Sequence, residues 1–196
     1  MTIDRDDNTR NEILQHAQHL FQQFGLKKTT MEDIAKSMGK GKSTLYYYFC
    51  NKDEIFDAVI QAEMLEVFQL VQTAVTEAIS AEDKLKTFAI TKIKEARKKT
   101  NLYKIVQGEM QQAQRCIKHL NKEYDTLELN LVTSILQFGL ANAEFNHAVH
   151  KEIDILPSII ISSLRGVERD MFIDNKYDII DERMEALINI LIRGIK

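Results

Sequence analysis

Apolar side chains recur along this chain at spacings of three and four, the period of helices with one buried face. Ile13, Leu14, Ala17, Leu20, Phe21 and Phe24 make the first face. A Thr9–Glu12 capping box opens it and Gly25 closes it. Met1 to Asn8 is polar and predicted to fray, with Arg5 set among Asp4, Asp6 and Asp7. Met31, Ile34, Ala35 and Met38 make a second, shorter face. Thr30 is its N-cap, Glu32 and Asp33 place negative charge in its first turn, and Gly39 ends it. A third short helix, about Lys42 to Phe49, turns Leu45 and Phe49 inward with Tyr48 nearby. Lys42, Ser43, Tyr46 and Tyr47 then share its other side.

The remaining pattern is also helical. Asn51 and Glu54 open a long helix whose face is Ile55, Phe56, Val59, Ile60, Leu65, Phe68, Val71 and Val75, ending near Ile79. Ser80 and Asp83 cap the next, with Leu85, Phe88, Ala89, Ile93 and Ala96 inward, and the charged cluster from Lys92 to Lys99 reads as a solvated helix end. Thr100 to Asn142 divides into two helices near His119 to Asn121, one holding Tyr103, Val106 and Met110, the other Tyr124, Leu127, Leu131, Ile135 and Phe138. Ala141 to Leu156 is predicted as a loop or short turn. Asp154 caps the eighth helix, with Pro157 in its first turn, where a missing N–H costs little. A final helix follows Asp178. The expected fold is all-α with about nine helices: a three-helix headpiece over residues 9–52, then a larger helical domain over residues 53–196.

Composition narrows the chemistry. The chain is 44% hydrophobic with one Pro and seven Gly, which suits long helices and few turns. No apolar run reaches the roughly 18 to 20 residues of a membrane span, and no secretory signal opens the chain. Cys50 and Cys116 form no CxxC pair and read as reduced thiols, so a cytoplasmic protein is expected. His16 and His19 read as a solvated pair. Only Glu144 to His147 has the E-x-x-H spacing of a metal-carboxylate bundle enzyme, which leaves that class as a remote alternative. There is no Gly-rich phosphate loop, nucleophile elbow or zinc motif, so no catalytic residue, metal or cofactor is expected. The net charge of −3 is unevenly spread: Lys27 to Lys52 holds six Lys and two acids, a local +4 on an acidic remainder.

Two short helices joined by a tight glycine turn, the second with a polar outer face, form a helix-turn-helix able to enter a major groove, here over about residues 30–49. The stretch resembles the DNA-binding domain of the TetR family of bacterial transcriptional regulators. Gly25, Thr29, Thr30, Ile34, Ala35, Gly39, Leu45, Tyr46, Phe49 and Lys52 fall in register with that family's pattern without a gap. Met38 stands for the usual Ala, Lys40 for an apolar turn residue, Gly41 for the capping Ser, Ser43 for Gly and Tyr48 for His. Beyond the first quarter the likeness lies in helical layout, with ANAEF at 141–145 similar to the family's A-x-G-E-F and Ala143 in the Gly position.

The recognition face divides its work: Lys42, Ser43 and Tyr46 are candidates for base edges, and Thr30, Lys40, Tyr47, Tyr48 and Lys52 for phosphates. Gly41 and Thr44 complete the candidate DNA-binding set. Ser158, Ser162 and Gly166 form a small-residue stripe that lets another backbone approach. The last two helices either complete a monomer core or join a second chain. The resemblance implies the second, a homodimer through Ser158, Ile159, Ser162, Gly166, Met184, Leu187, Ile188 and Leu191. Two headpieces related by a two-fold axis then require a palindromic operator in double-stranded DNA. The resemblance also implies repression relieved by a small-molecule effector among the middle helices. Candidate lining groups are Met64, Phe68, Tyr103, Gln107, Met110, Tyr124, Phe138 and Arg165, side chains that are more often plain core. Control by a partner protein, or no ligand control, is the alternative.

Overall fold

The computed structural model describes residues 3–99, 122 and 124–173, and near the C-terminus residues 185–186, 188–190 and 192–193. Among the described residues every regular element is a helix. These are α1 (Ile3–Phe24), α2 (Met31–Ser37), α3 (Lys42–Tyr48), α4 (Lys52–Glu77), α5 (Ala81–Lys98), α6 (residues 124–141), α7 (His147–Lys151) and α8 (Leu156–Ile173). The described residues near the C-terminus are helical as well. The expected helix break near His119 to Asn121 lies outside the described residues.

The described residues up to Met64 form one compact unit. Its core is Ile13, Ala17 and Phe21 of α1, Met31, Ile34 and Ala35 of α2, Leu45 of α3, Phe49, and Ile55, Phe56 and Val59 of α4. Phe21, Ile34 and Leu45 are completely buried, each removal from water stabilising by about 1.5–3 kcal/mol. Phe21 meets Phe56 edge-on at 5.3 Å. Gln18 of α1 donates to the buried carboxylate of Glu63 on α4. Helix α1 starts at Ile3, so the expected frayed stretch is helical and Thr9 lies within a helix instead of opening one. Asp4, Asp6 and Asp7 account for this, since acids in the first turns are favoured by the helix dipole. Phe24, assigned inward, is half exposed as the last residue of α1.

The residues from Leu65 onward form a second unit. Val67, Val71 and Val75 of α4 pack with Leu85, Phe88, Ala89 and Ile93 of α5, with Val132, Ile135 and Leu136 of α6, and with Ile161 and Leu164 of α8. Ile188 and Ile192 join the same core. Leu65, assigned to the buried face of α4, is 44% exposed. Ser80 Oγ caps α5 at Asp83 N (3.0 Å), and the Ala81 N–H donates to the Glu144 carboxylate at 2.7 Å.

Glu144 belongs to a turn within the segment predicted as a loop or short turn. The Glu144 N–H donates to the Gly139 carbonyl (2.8 Å), and Ala143 adopts φ +55°. The Phe145 ring lies directly over Gly139, where a Cβ would come within 2.2 Å of it. Asn146 then caps α7 through Ala148 N (2.8 Å), so the segment contains a short helix. Within the E-x-x-H pair, Glu144 serves as a cap for α5. Helix α8 opens at Leu156, with Pro157 in its first turn and Asp154 outside it.

Candidate nucleic-acid interface

Local chemistry sets the helix-turn-helix. Thr30 caps α2 in extended backbone (φ −118°, ψ 161°), its hydroxyl accepting from Asp33 N at 3.2 Å. The Asp33 carboxylate returns the contact to Thr30 N at 2.9 Å, a complete capping box. Hydrogen bonds to the Thr30 hydroxyl and backbone hold the Asp33 carboxyl below its ordinary range. Gly39 turns the chain at φ +65°, and the Lys40 N–H returns to the Ala35 carbonyl (3.0 Å). Only glycine takes that backbone without steric cost. Gly41 occupies the N-cap of α3 without a side-chain bond, so the Ser usual there is replaced by backbone alone.

Helix α3 buries Leu45 and leaves Lys42, Ser43, Tyr46 and Tyr47 exposed, with Thr44 half-buried. Tyr46 and Tyr47 are 54% and 74% exposed, which nothing in the headpiece core requires. Lys42 Nζ lies 2.7 Å from a Glu32 carboxylate oxygen, and that hydrogen bond raises the ammonium above its ordinary pKa. Lys40 Nζ lies 2.5 Å from Glu12.

Two nominated phosphate ligands are engaged inside the headpiece. Lys52 donates to the carbonyls of Leu26 (2.6 Å) and Thr29 (2.9 Å), tying the α1–α2 turn to the start of α4. Tyr48 is half-buried against the core and donates its hydroxyl to Asp6 at 2.9 Å. Desolvation and the bond to Asp6 push its phenol up. Its ring meets Tyr47 edge-on at 4.9 Å.

The nominated effector pocket is described in part. Tyr103, Gln107 and Met110 lie outside the described residues, as do Met184, Leu187 and Leu191 of the nominated dimer face. Met64 is half-buried. Phe138 is exposed, with Lys84 over its ring at 5.5 Å. Phe68, Tyr124 and Arg165 are linked through a charged cluster. The Phe68 ring meets Tyr124 at 6.3 Å, and the Lys92 ammonium sits over Tyr124 at 5.3 Å. Lys92 pairs with Glu128, and Arg165 bridges Glu128 (2.9 Å) and Asp125 (2.5 Å). Burial pulls the Arg165 guanidinium down, but its bonds to Asp125 and Glu128 outweigh that and raise it. Lys92 and Glu128 are fully buried, so Lys92 is no part of a solvated helix end. Its register was the available signal, since it continues the inward series Leu85, Phe88, Ala89. On α8, Ser158, Ile159 and Ser162 are exposed and no described atom would lie within 4 Å of a Cβ at Gly166; Ile188, beyond α8, is buried in the chain's own core.

Residues 13–59 match the family model for bacterial regulatory proteins of the tetR family. That stretch, and with it the headpiece, is a tetR-type DNA-binding domain. An uncharacterized HTH-type transcriptional regulator of Bacillus subtilis, YhgD, is 28% identical over 142 residues, 71% of each chain. The fatty acid metabolism regulator protein of the same organism is 22% identical over 185 residues, 94% of each. The crystal structure of the transcriptional regulator FadR from Bacillus subtilis, in complex with stearoyl-CoA, superposes with a TM-score of 0.73 at 19% identity, covering 94% of this chain and 98% of that one. The chain is accordingly a DNA-binding transcriptional regulator, helical in every regular element among the described residues. No described helix is long and apolar enough to cross a membrane.

Proposed function

We propose that the chain is a cytoplasmic, non-enzymatic repressor that binds a palindromic operator as a homodimer and releases it on binding a fatty acyl thioester. The observation that carries the DNA reading is the exposed face of α3, where Lys42, Ser43, Tyr46 and Tyr47 stand on a helix fixed from behind by Leu45 and Phe49. Lys42, Ser43 and Tyr46 read bases. Thr30, Lys40 and Tyr47 position the backbone, with Gly41 and Thr44 allowing close approach. Tyr48 and Lys52 act one step back, bracing the headpiece through Asp6 and the α1–α2 turn. The division into a DNA-binding domain over residues 9–52 and a ligand-binding and dimerisation domain over residues 53–196 belongs to the same reading.

Dimerisation is assigned to the outer face of α8, where Ser158, Ile159, Ser162 and Gly166 leave room for a second backbone. The acyl thioester class is taken from the fatty acid metabolism regulator and the stearoyl-CoA complex among the relatives. Phe68 and Tyr124 are its candidate apolar contacts. An effector must favour the DNA-incompetent conformation, or it shifts nothing.

Selection of bound duplexes from a random pool at two salt concentrations tests the reading. The expected product is a palindrome with half-sites about one helical turn, or a multiple, apart. Stearoyl-CoA added to that complex should release the DNA. Absence of any enriched sequence overturns the DNA-reading assignment. A palindrome indifferent to acyl thioesters overturns the effector class and favours control by another ligand or a partner protein.

A further inference from the structure

Lys40 and Lys42, two lysines on the face assigned to DNA, each carry an internal carboxylate: Glu12 on α1 and Glu32 on α2. None of these side chains is deeply buried, their exposures running from 31% to 70%. Surface pairs of this kind add little to folding stability. On a surface that meets a polyanion, a carboxylate also repels phosphates and cancels a counterion-releasing cation. The arrangement therefore weakens DNA attraction with no matching gain in the fold.

Glu32 is the sharper case, because Lys42 opens the recognition helix and is a base-reading candidate. We propose that Glu32 is a positioning residue that sets sequence discrimination by holding Lys42 away from phosphates in non-operator complexes. The proposal rests on the DNA-reading function above. Against random DNA, Lys42 can only exchange one carboxylate for one phosphate oxygen, which yields no net attraction. Against an operator, the O6 and N7 acceptors of a guanine edge offer more than the single carboxylate contact. Lys42 then leaves Glu32, which turns to solvent. The ion pair thus taxes every site and is outbid only where a guanine lies in register.

The test compares the full-length protein with E32Q, E32D, K42Q and E32Q/K42Q on the selected operator and on a non-operator duplex, across a series of salt concentrations. E32Q should tighten non-operator binding ~3–10-fold and steepen its log–log salt slope by about one unit per headpiece. Operator binding should change less, so the discrimination ratio falls. E32D keeps the charge and should restore wild-type slope. In the K42Q background the Glu32 change should add less than about twofold, because the effect runs through Lys42. An unchanged non-operator affinity and slope for E32Q overturns the proposal. So does an equal gain with and without Lys42, which would mark Glu32 as a mere repulsive charge. The non-operator arm reads Glu32 even if no operator is selected, so failure of the function and failure of this inference are separable.

Discussion

Glu128 is the node of the buried charge cluster, with one carboxylate oxygen on Lys92 and the other on Arg165. Its side chain is 1% exposed and that of Lys92 is 4% exposed. Removing one partner of a buried pair costs about 3–5 kcal/mol, because the other charge keeps its desolvation penalty. Glu128→Gln takes its charge from both cations at once, so the upper part of that range is expected. Lys92→Met should cost less, about 1–3 kcal/mol, because Glu128 keeps Arg165. Replacing the pair together, Lys92→Met with Glu128→Leu, should recover most of the loss, since apolar side chains of similar volume need no solvation and Arg165 retains Asp125. With a urea m-value of about 2 kcal/mol/M, Glu128→Gln lowers the midpoint by about 2–2.5 M. Urea titration followed by far-UV circular dichroism measures this. A Glu128→Gln midpoint within about 0.5 M of wild type, or a double variant as weak as the two singles summed, refutes the reasoning.

Three further outcomes are expected. Ala143 sits at φ +55°, which costs a non-glycine residue about 1–2 kcal/mol, while glycine surrenders about 0.4–1 kcal/mol through the unfolded chain. Ala143→Gly should therefore stabilise by about 0.5–1 kcal/mol and raise Tm by roughly 1–4 °C in calorimetry. Lys52→Met removes two charge-assisted bonds to carbonyls and should destabilise the headpiece by about 1–3 kcal/mol, while the salt slope of DNA binding stays unchanged. The Asp33 carboxyl is lowered from 3.8 by its bonds to Thr30, so its contribution to stability is present above pH 3.8 and lost as pH falls through the lowered folded value. The protection factor of the Asp33 amide, its exchange relative to an unfolded chain at the same pH, should fall over that acid window, and the variant Asp33→Asn should lose the dependence.

The headpiece was legible because its signals are local. A threonine three residues before an aspartate and a glycine at the helix end are each read within one turn, and both appear where expected. The charge cluster was not legible, because Lys92, Glu128 and Arg165 come from three helices 36 and 37 residues apart. A run of charges around Lys92 outweighed its place in the apolar period. The T-x-x-E pattern at Thr9 mimics a helix start, while α1 begins six residues earlier, at Ile3. Lys52 and Tyr48 read as phosphate ligands from their types alone, and the fold adds partners no local pattern shows: carbonyls of a turn and a carboxylate of α1. Side-chain type shows what a group can bind, and only the fold shows what reaches it first.

Among the described residues the N-terminal core draws on positions 13 to 59, whereas the second core joins Val67 to Ile192 and the start of α5 is held by Glu144, 63 positions later. During synthesis, contacts so distant in sequence must wait for the ribosome. At ~5–20 residues per second, the stretch between Val59 and Ile192 takes roughly ten seconds to make. A nascent chain therefore holds the residues of its DNA-facing helices and the core behind them well before those that complete its second core.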